Sequence, residues 1–136
     1  DKDSNTMKQI KGHILEKIAP FTDVPIIFTS VVEKQRIHEV LKAAVQVYEN
    51  RRSKVSTSQL NKIMLPIIEK NPPPSIKGKF IKIKFVSMLP TYKPTFVFYC
   101  NHPQYVKEPY KRFIENRLRE HFEYTGVPIQ IFFRKK

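Results

Sequence analysis

The sequence is poor in cysteine and glycine and holds no long apolar run. One cysteine, Cys100, excludes an internal disulfide framework and fits a reducing compartment, so a cytoplasmic location is expected. Cys100 sits among apolar neighbours in a strand-like run, where a small buried hydrophobe is the expected role rather than a nucleophile. No apolar run approaches the roughly 18 residues that crossing a bilayer requires. Only three glycines are present, Gly12, Gly78 and Gly126, and they stand far apart. A phosphate cradle built from a glycine-rich run of backbone N–H groups is therefore excluded. No signal-peptide pattern opens the chain and its first residue is Asp1, so a trimmed chain is expected.

Acidic residues are scarce in one part only. Residues 1–50 hold seven Lys+Arg and seven Asp+Glu, whereas residues 51–136 hold eighteen and five, so the whole net charge of +13 lies in the second part. Asymmetry of this kind points to a polyanionic partner for that part. The polar, basic stretch Asn50-Arg51-Arg52-Ser53-Lys54 marks the boundary, giving an expected division at residues 1–50 and 51–136.

What is present is strongly periodic. Met7, Ile10, Ile14 and Ile18 predict a helix over about 6–19, stopped by Pro20. Residues 24–29 read as a buried strand, and Ile37, Val40, Leu41, Ala44, Val47 and Tyr48 mark an amphipathic helix over about 36–50. A lone strand cannot satisfy its own backbone, so this helix-strand-helix part looks incomplete. Beyond the boundary, Ser56-Thr57-Ser58 starts a helix carrying Leu60, Ile63, Met64, Ile67 and Ile68, with a kink expected at Pro66. Residues 79–86 read as a strand with Ile81, Ile83 and Phe85 on one face and Lys82 and Lys84 on the other. A turn over 87–94 with Pro90 and Pro94 leads to a second strand, 95–101, apolar on both faces. Tyr110, Phe113, Ile114, Leu118 and Phe122 mark a last helix, and Ile129, Ile131 and Phe133 a last strand. The order helix, strand, strand, helix, strand gives an α+β two-layer sandwich with a three-stranded sheet and a parallel, right-handed return to its last strand. Ile81, Ile83, Phe85 and Ile131 are expected on the helix-covered face, leaving the lysine face open.

Several runs then match one known family in order. They are Thr57-Ser58-Gln59-Leu60-Asn61, Asn71-Pro72-Pro73-Pro74, Lys82-Ile83-Lys84-Phe85, Pro94-Thr95-Phe96-Val97-Phe98, Asn101-His102-Pro103, residues 110–120 and Gly126-Val127-Pro128-Ile129. As a set they resemble the C-terminal KH-like domain of the EngA, or Der, family of bacterial GTPases. Residues 1–50 resemble the end of that family's second GTPase domain. The resemblance implies that Thr29, Ser30 and Val31 occupy the place of a motif touching the guanine base, with Val31 where the family has Ala. It also implies a parent with tandem GTPase domains that uses GTP or GDP and Mg and acts in maturation of the large ribosomal subunit. Ribosomal RNA and the parent's own GTPase domains are then the expected partners, with no membrane. The phosphate loop, the D-x-x-G switch box and the N-K-x-D box are all absent from these residues, so this stretch carries no hydrolytic machinery and needs no cofactor of its own.

The histidines, His13, His38, His102 and His121, show no ligand spacing, so no metal is expected. The basic residues divide into groups. Lys77, Lys79, Lys82 and Lys84 follow one strand and its entry; Lys111, Arg112, Arg117 and Arg119 lie on the last helix; Arg134, Lys135 and Lys136 end the sequence. Solvated surface lysines are the ordinary explanation, but five acids against eighteen bases is not the mixed surface that solubility favours. Lys77, Lys79, Lys82, Lys84, Lys111, Arg112, Arg119, Arg134, Lys135 and Lys136 are therefore the RNA-contact candidates. A KH domain that clamps single strands uses a G-x-x-G loop, and this sequence has none. Phosphate-dominated contact with folded RNA fits better. Tyr92, Tyr105 and Tyr124 fall in predicted turns, where a ring can stack on a base, although a tyrosine at a turn more often just half-buries its ring. An alternative role is an intramolecular module that packs on the GTPase domains according to the bound nucleotide.

Overall fold

The computed structural model describes residues 2–30 and 36–136, and side chains from Ser4 onward. The chain divides into two compact units, one formed by Asp1–Asn50 with Thr125–Val127, the other by Arg51–Tyr124 with Pro128–Lys136.

In the first unit, α1 spans Lys2–Ile18 and α2 begins at Ile37 and runs to Arg52. Residues 24–29, expected as a buried strand, carry no strand and are exposed or half-buried. A strand exists only as a ladder, and no strand among the described residues of this unit lies beside it. The helical spacing is therefore correct while much of its apolar face stays in solvent: Ile10 is 44% exposed, Val40 40% and Leu41 58%. Gly126 has a φ of +78°, which suits glycine, and a Cβ added there would run into the Val47 side chain. Its N–H donates to the Asp23 carbonyl at 2.7 Å.

The second unit is an α+β sandwich of α3 (Thr57–Lys70), β1 (Ile83–Leu89), β2 (Thr95–Cys100), α4 (Glu108–His121) and β3 (Gln130–Lys135), with a 3₁₀ turn at Pro103–Tyr105. Ser56 caps α3 by accepting the Gln59 N–H, and α3 continues through Pro66. The sheet order is β1-β2-β3, β1 antiparallel to β2 and β3 parallel to it, as the crossover through α4 requires. Leu60, Met64 and Ile68 of α3 and Tyr110, Ile114 and Leu118 of α4 bury one helix face each against Val86, Phe96, Phe98 and Cys100. Burial pushes the Cys100 thiol pKa up, partly offset by a backbone hydrogen bond from His102, so Cys100 is a neutral core residue.

One expected face assignment is reversed. A bulge between Ile83 and Phe85 inserts a residue at Lys84 and shifts the alternation by one. Ile81 and Ile83 face the core, but beyond the bulge Val86 takes the core position and Phe85 turns to the other face, stacked on Tyr99 with ring centroids 4.5 Å apart. The second face is also not bare at its middle, since Val97, between Ser87 and Phe132 in register, is fully buried.

Candidate nucleic-acid interface

Charge in the second unit separates by layer. Its five acids, Glu69, Glu108, Glu115, Glu120 and Glu123, lie on α3, on α4 or just beyond it. Residues 70–107 and 124–136, which hold all three strands, contain no acid. The sheet and its approaches therefore carry positive charge with no carboxylate on the same elements to neutralise it.

Topology gathers these bases at one end. Ile83, Cys100 and Lys135 are neighbours across the sheet. With strands about 4.8 Å apart, the start of β1 lies about 10 Å from the end of β3. Lys82 and Lys84 flank Ile83, while Arg134, Lys135 and Lys136 close β3, and all five are exposed. Lys136 Nζ stands 4.9 Å from the Phe85 ring centroid and Arg134 Cζ 5.9 Å from that of Phe132. Cations thus lie along aromatic faces of the outer side. A seven-residue connection from Cys100 starts α4 at this same end, which brings Lys111 and Arg112 of its first turns there. Arg112 is exposed, whereas Lys111 pairs with Glu108 at 3.4 Å.

Arg119 stands apart. It lies near the other end of α4 with its side chain 10% exposed, its Nε 3.4 Å from Glu115 and its Nη1 donating to the Tyr124 carbonyl at 2.9 Å. In this position its guanidinium holds the chain leaving α4 rather than facing solvent. Thr29 is exposed and Ser30 half-buried, while Val31 lies outside the described residues. Among the described residues no group of His, Cys, Asp or Glu is placed to hold a metal, and no helix is long and apolar enough to cross a membrane.

Of the tyrosines, Tyr124 is buried and T-stacked on Phe96, Tyr105 packs against the core, and Tyr92 is 77% exposed beneath the Arg51 guanidinium at 4.0 Å. The residues that sequence reasoning missed are Phe80, 80% exposed, and Phe132, 42% exposed. For Phe80 a signal existed: Phe80-Ile81 breaks the alternation, and only one of two adjacent apolar residues can face the core. Two asparagines inside the matching runs also gain a role. Asn61 Nδ2 donates to the Val86 carbonyl and Asn61 Oδ1 accepts the Val86 N–H, both at 2.8 Å. Asn101 does the same further along, its Nδ2 donating to the Phe80 carbonyl at 2.9 Å and its Oδ1 accepting the Lys82 N–H at 2.8 Å.

Residues 54–134 match the family model described as the KH-domain-like C-terminal region of EngA bacterial GTPase enzymes. The whole chain is also similar to proteins named GTPase Der. It is 58% identical over 136 residues to that of Christiangramia forsetii and 52% identical over 136 residues to that of Flavobacterium psychrophilum. It is 55% identical over 137 aligned residues to that of Bacteroides thetaiotaomicron. In each case all of this chain is covered but only 31% of the relative, so the chain spans about a third of the length of the curated relatives it matches.

Proposed function

The chain belongs to the family of KH-domain-like C-terminal regions of EngA bacterial GTPase enzymes, and on that premise we propose that it is the ribosome-docking end of a GTPase that acts in large-subunit assembly. Residues 51–136 are the KH-like domain and meet ribosomal RNA through their basic end. Residues 1–50 are the closing part of the second GTPase domain, and Thr29, Ser30 and Val31 are its guanine-side remnant. GTP or GDP with Mg belongs to the rest of such a protein, as do the GTPase domains that would be this module's other partners.

The observation that supports this reading best is the acid-free sheet with Lys82, Lys84, Arg134, Lys135 and Lys136 exposed at one end. Exposed cations fixed on a folded scaffold contact phosphates without reading sequence, and such binding falls with salt by about 0.7–0.9 in log K per log salt for each phosphate neutralised. With no G-x-x-G loop, and with Val106 of the connection from β2 to α4 buried in the core, a backbone clamp on single-stranded RNA is disfavoured. Binding of the 136-residue chain to large-subunit ribosomal RNA, measured by filter retention from 50 to 200 mM salt, should therefore weaken steeply. The pair Lys82→Glu and Lys84→Glu should weaken it by at least about tenfold and flatten the salt slope. Binding indifferent to salt would overturn the reading.

A further inference from the structure

We propose that Phe80 is a stacking platform for one unpaired base of the bound RNA, held ready by the turn before it and by Asn101 beside it. The inference rests on the RNA-docking reading above and adds a subsite to it. Among the described residues Phe80 is the most exposed of the large hydrophobic side chains, at 80%, because Ile81 takes the adjoining core position at 4%.

An exposed phenylalanine on a loose loop would say little, but this backbone is pinned on both sides. Before it, Ile76 and Lys79 exchange both N–H···O bonds, at 3.2 and 3.0 Å, around Lys77 and Gly78 with φ of +53° and +71°. Two successive positive φ values are the mark of a type I′ turn, the tight reversal that continues a twisted ladder. Lysine is a costly residue for the first of these positions, where Asn or Gly is usual, yet it sets a cation at the turn tip. After Phe80, the Asn101 side chain binds both the Phe80 carbonyl and the Lys82 N–H. The ring is thus displayed from a fixed backbone, and little backbone entropy remains to be lost on binding.

The surroundings select the ligand. Lys77, Lys79 and Lys82, each within three residues of Phe80 along the chain, are exposed, and no acid occurs in sequence between Glu69 and Glu108. A lone ring among three cations suits a ligand that alternates a flat apolar face with anionic groups, which describes a nucleotide strand. A base inside a duplex offers only its edges, so the ring takes an unpaired one.

The test compares the wild-type chain with Phe80→Ala and Phe80→Trp by fluorescence anisotropy, on an RNA hairpin with an unpaired loop and on a blunt RNA duplex of equal length. A 2-aminopurine in the hairpin loop reports stacking directly. Phe80→Ala should weaken hairpin binding about 5- to 150-fold, the range for loss of one stacked base, with its salt slope unchanged because no charge is removed. It should leave duplex binding unaltered and abolish the 2-aminopurine quench, while Phe80→Trp restores both affinity and quench. If wild type binds both RNAs and Phe80→Ala changes neither, or weakens both equally, the stacking role is overturned and the docking reading stands. If wild type binds neither RNA at 50 mM salt, the docking reading itself fails and the subsite with it.

Discussion

The two units of this chain use one helical code with opposite results. In the second, the apolar stripes of α3 and α4 disappear into a core where Leu60, Met64, Ile114 and Leu118 are fully buried. In the first, the stripes of α1 and α2 are as regular, yet Ile10, Val40, Leu41 and Tyr48 remain between 40% and 58% exposed. Periodicity therefore says where a helix forms and which side is apolar, while a sheet to pack against decides whether that side is buried. Only the second unit has strands among its described residues.

The comparison can be broken by truncating matched leucines. Leu118→Ala should lower unfolding free energy by about 2–5 kcal/mol, because it removes a fully buried side chain and leaves a cavity, whereas Leu41→Ala should change it by about 0.5 kcal/mol or less. Urea midpoints on the two variants decide, and equal losses would refute the contrast. A smaller effect sharpens it. Asn61→Ala removes both bonds to Val86 and should cost about 1–3 kcal/mol, read as a lower melting temperature with the fold intact by circular dichroism.

The smallest effect appears at high pH and belongs to the second unit alone. Burial pushes the Tyr124 pKa up from 10.0 to about 12, and that of Tyr110 upward as well. The folded state thus keeps protons that the unfolded chain releases. The stabilisation is fully present below pH 10 and is lost as pH rises through the folded values. Urea midpoints measured from pH 8 to 11 should fall at the upper end, and Tyr124→Phe should flatten that fall.

Much of the second unit was legible in the sequence. The N-cap of α3, the apolar stripes of α3 and α4, the order of elements and the parallel return all follow from local pattern and chirality. Alternation alone could not reveal the bulge at Lys84, so Phe85 was placed on the wrong face. Residues 79–82 read as strand because extended backbone and ladder look alike in sequence; here Asn101, rather than a neighbouring strand, satisfies the peptides around Phe80 and Lys82. The basic group was visible as composition, but its gathering at one end needed the register of three strands. The burial of Arg119 was not legible because one of its two partners, the Tyr124 carbonyl, is a backbone atom. Residues 24–29 have the composition of a strand, and composition cannot supply a second strand.

The bond pair between Asn61 and Val86 has a consequence for self-association. β1 is an outer strand, and such an edge ordinarily offers a free row of donors and acceptors to any passing extended segment. Here the amide of one helical side chain occupies that row midway along, so a foreign strand cannot zip past it. Sheet growth in this protein would have to start from β3, where Arg134 and Lys135 set like charges against any second copy.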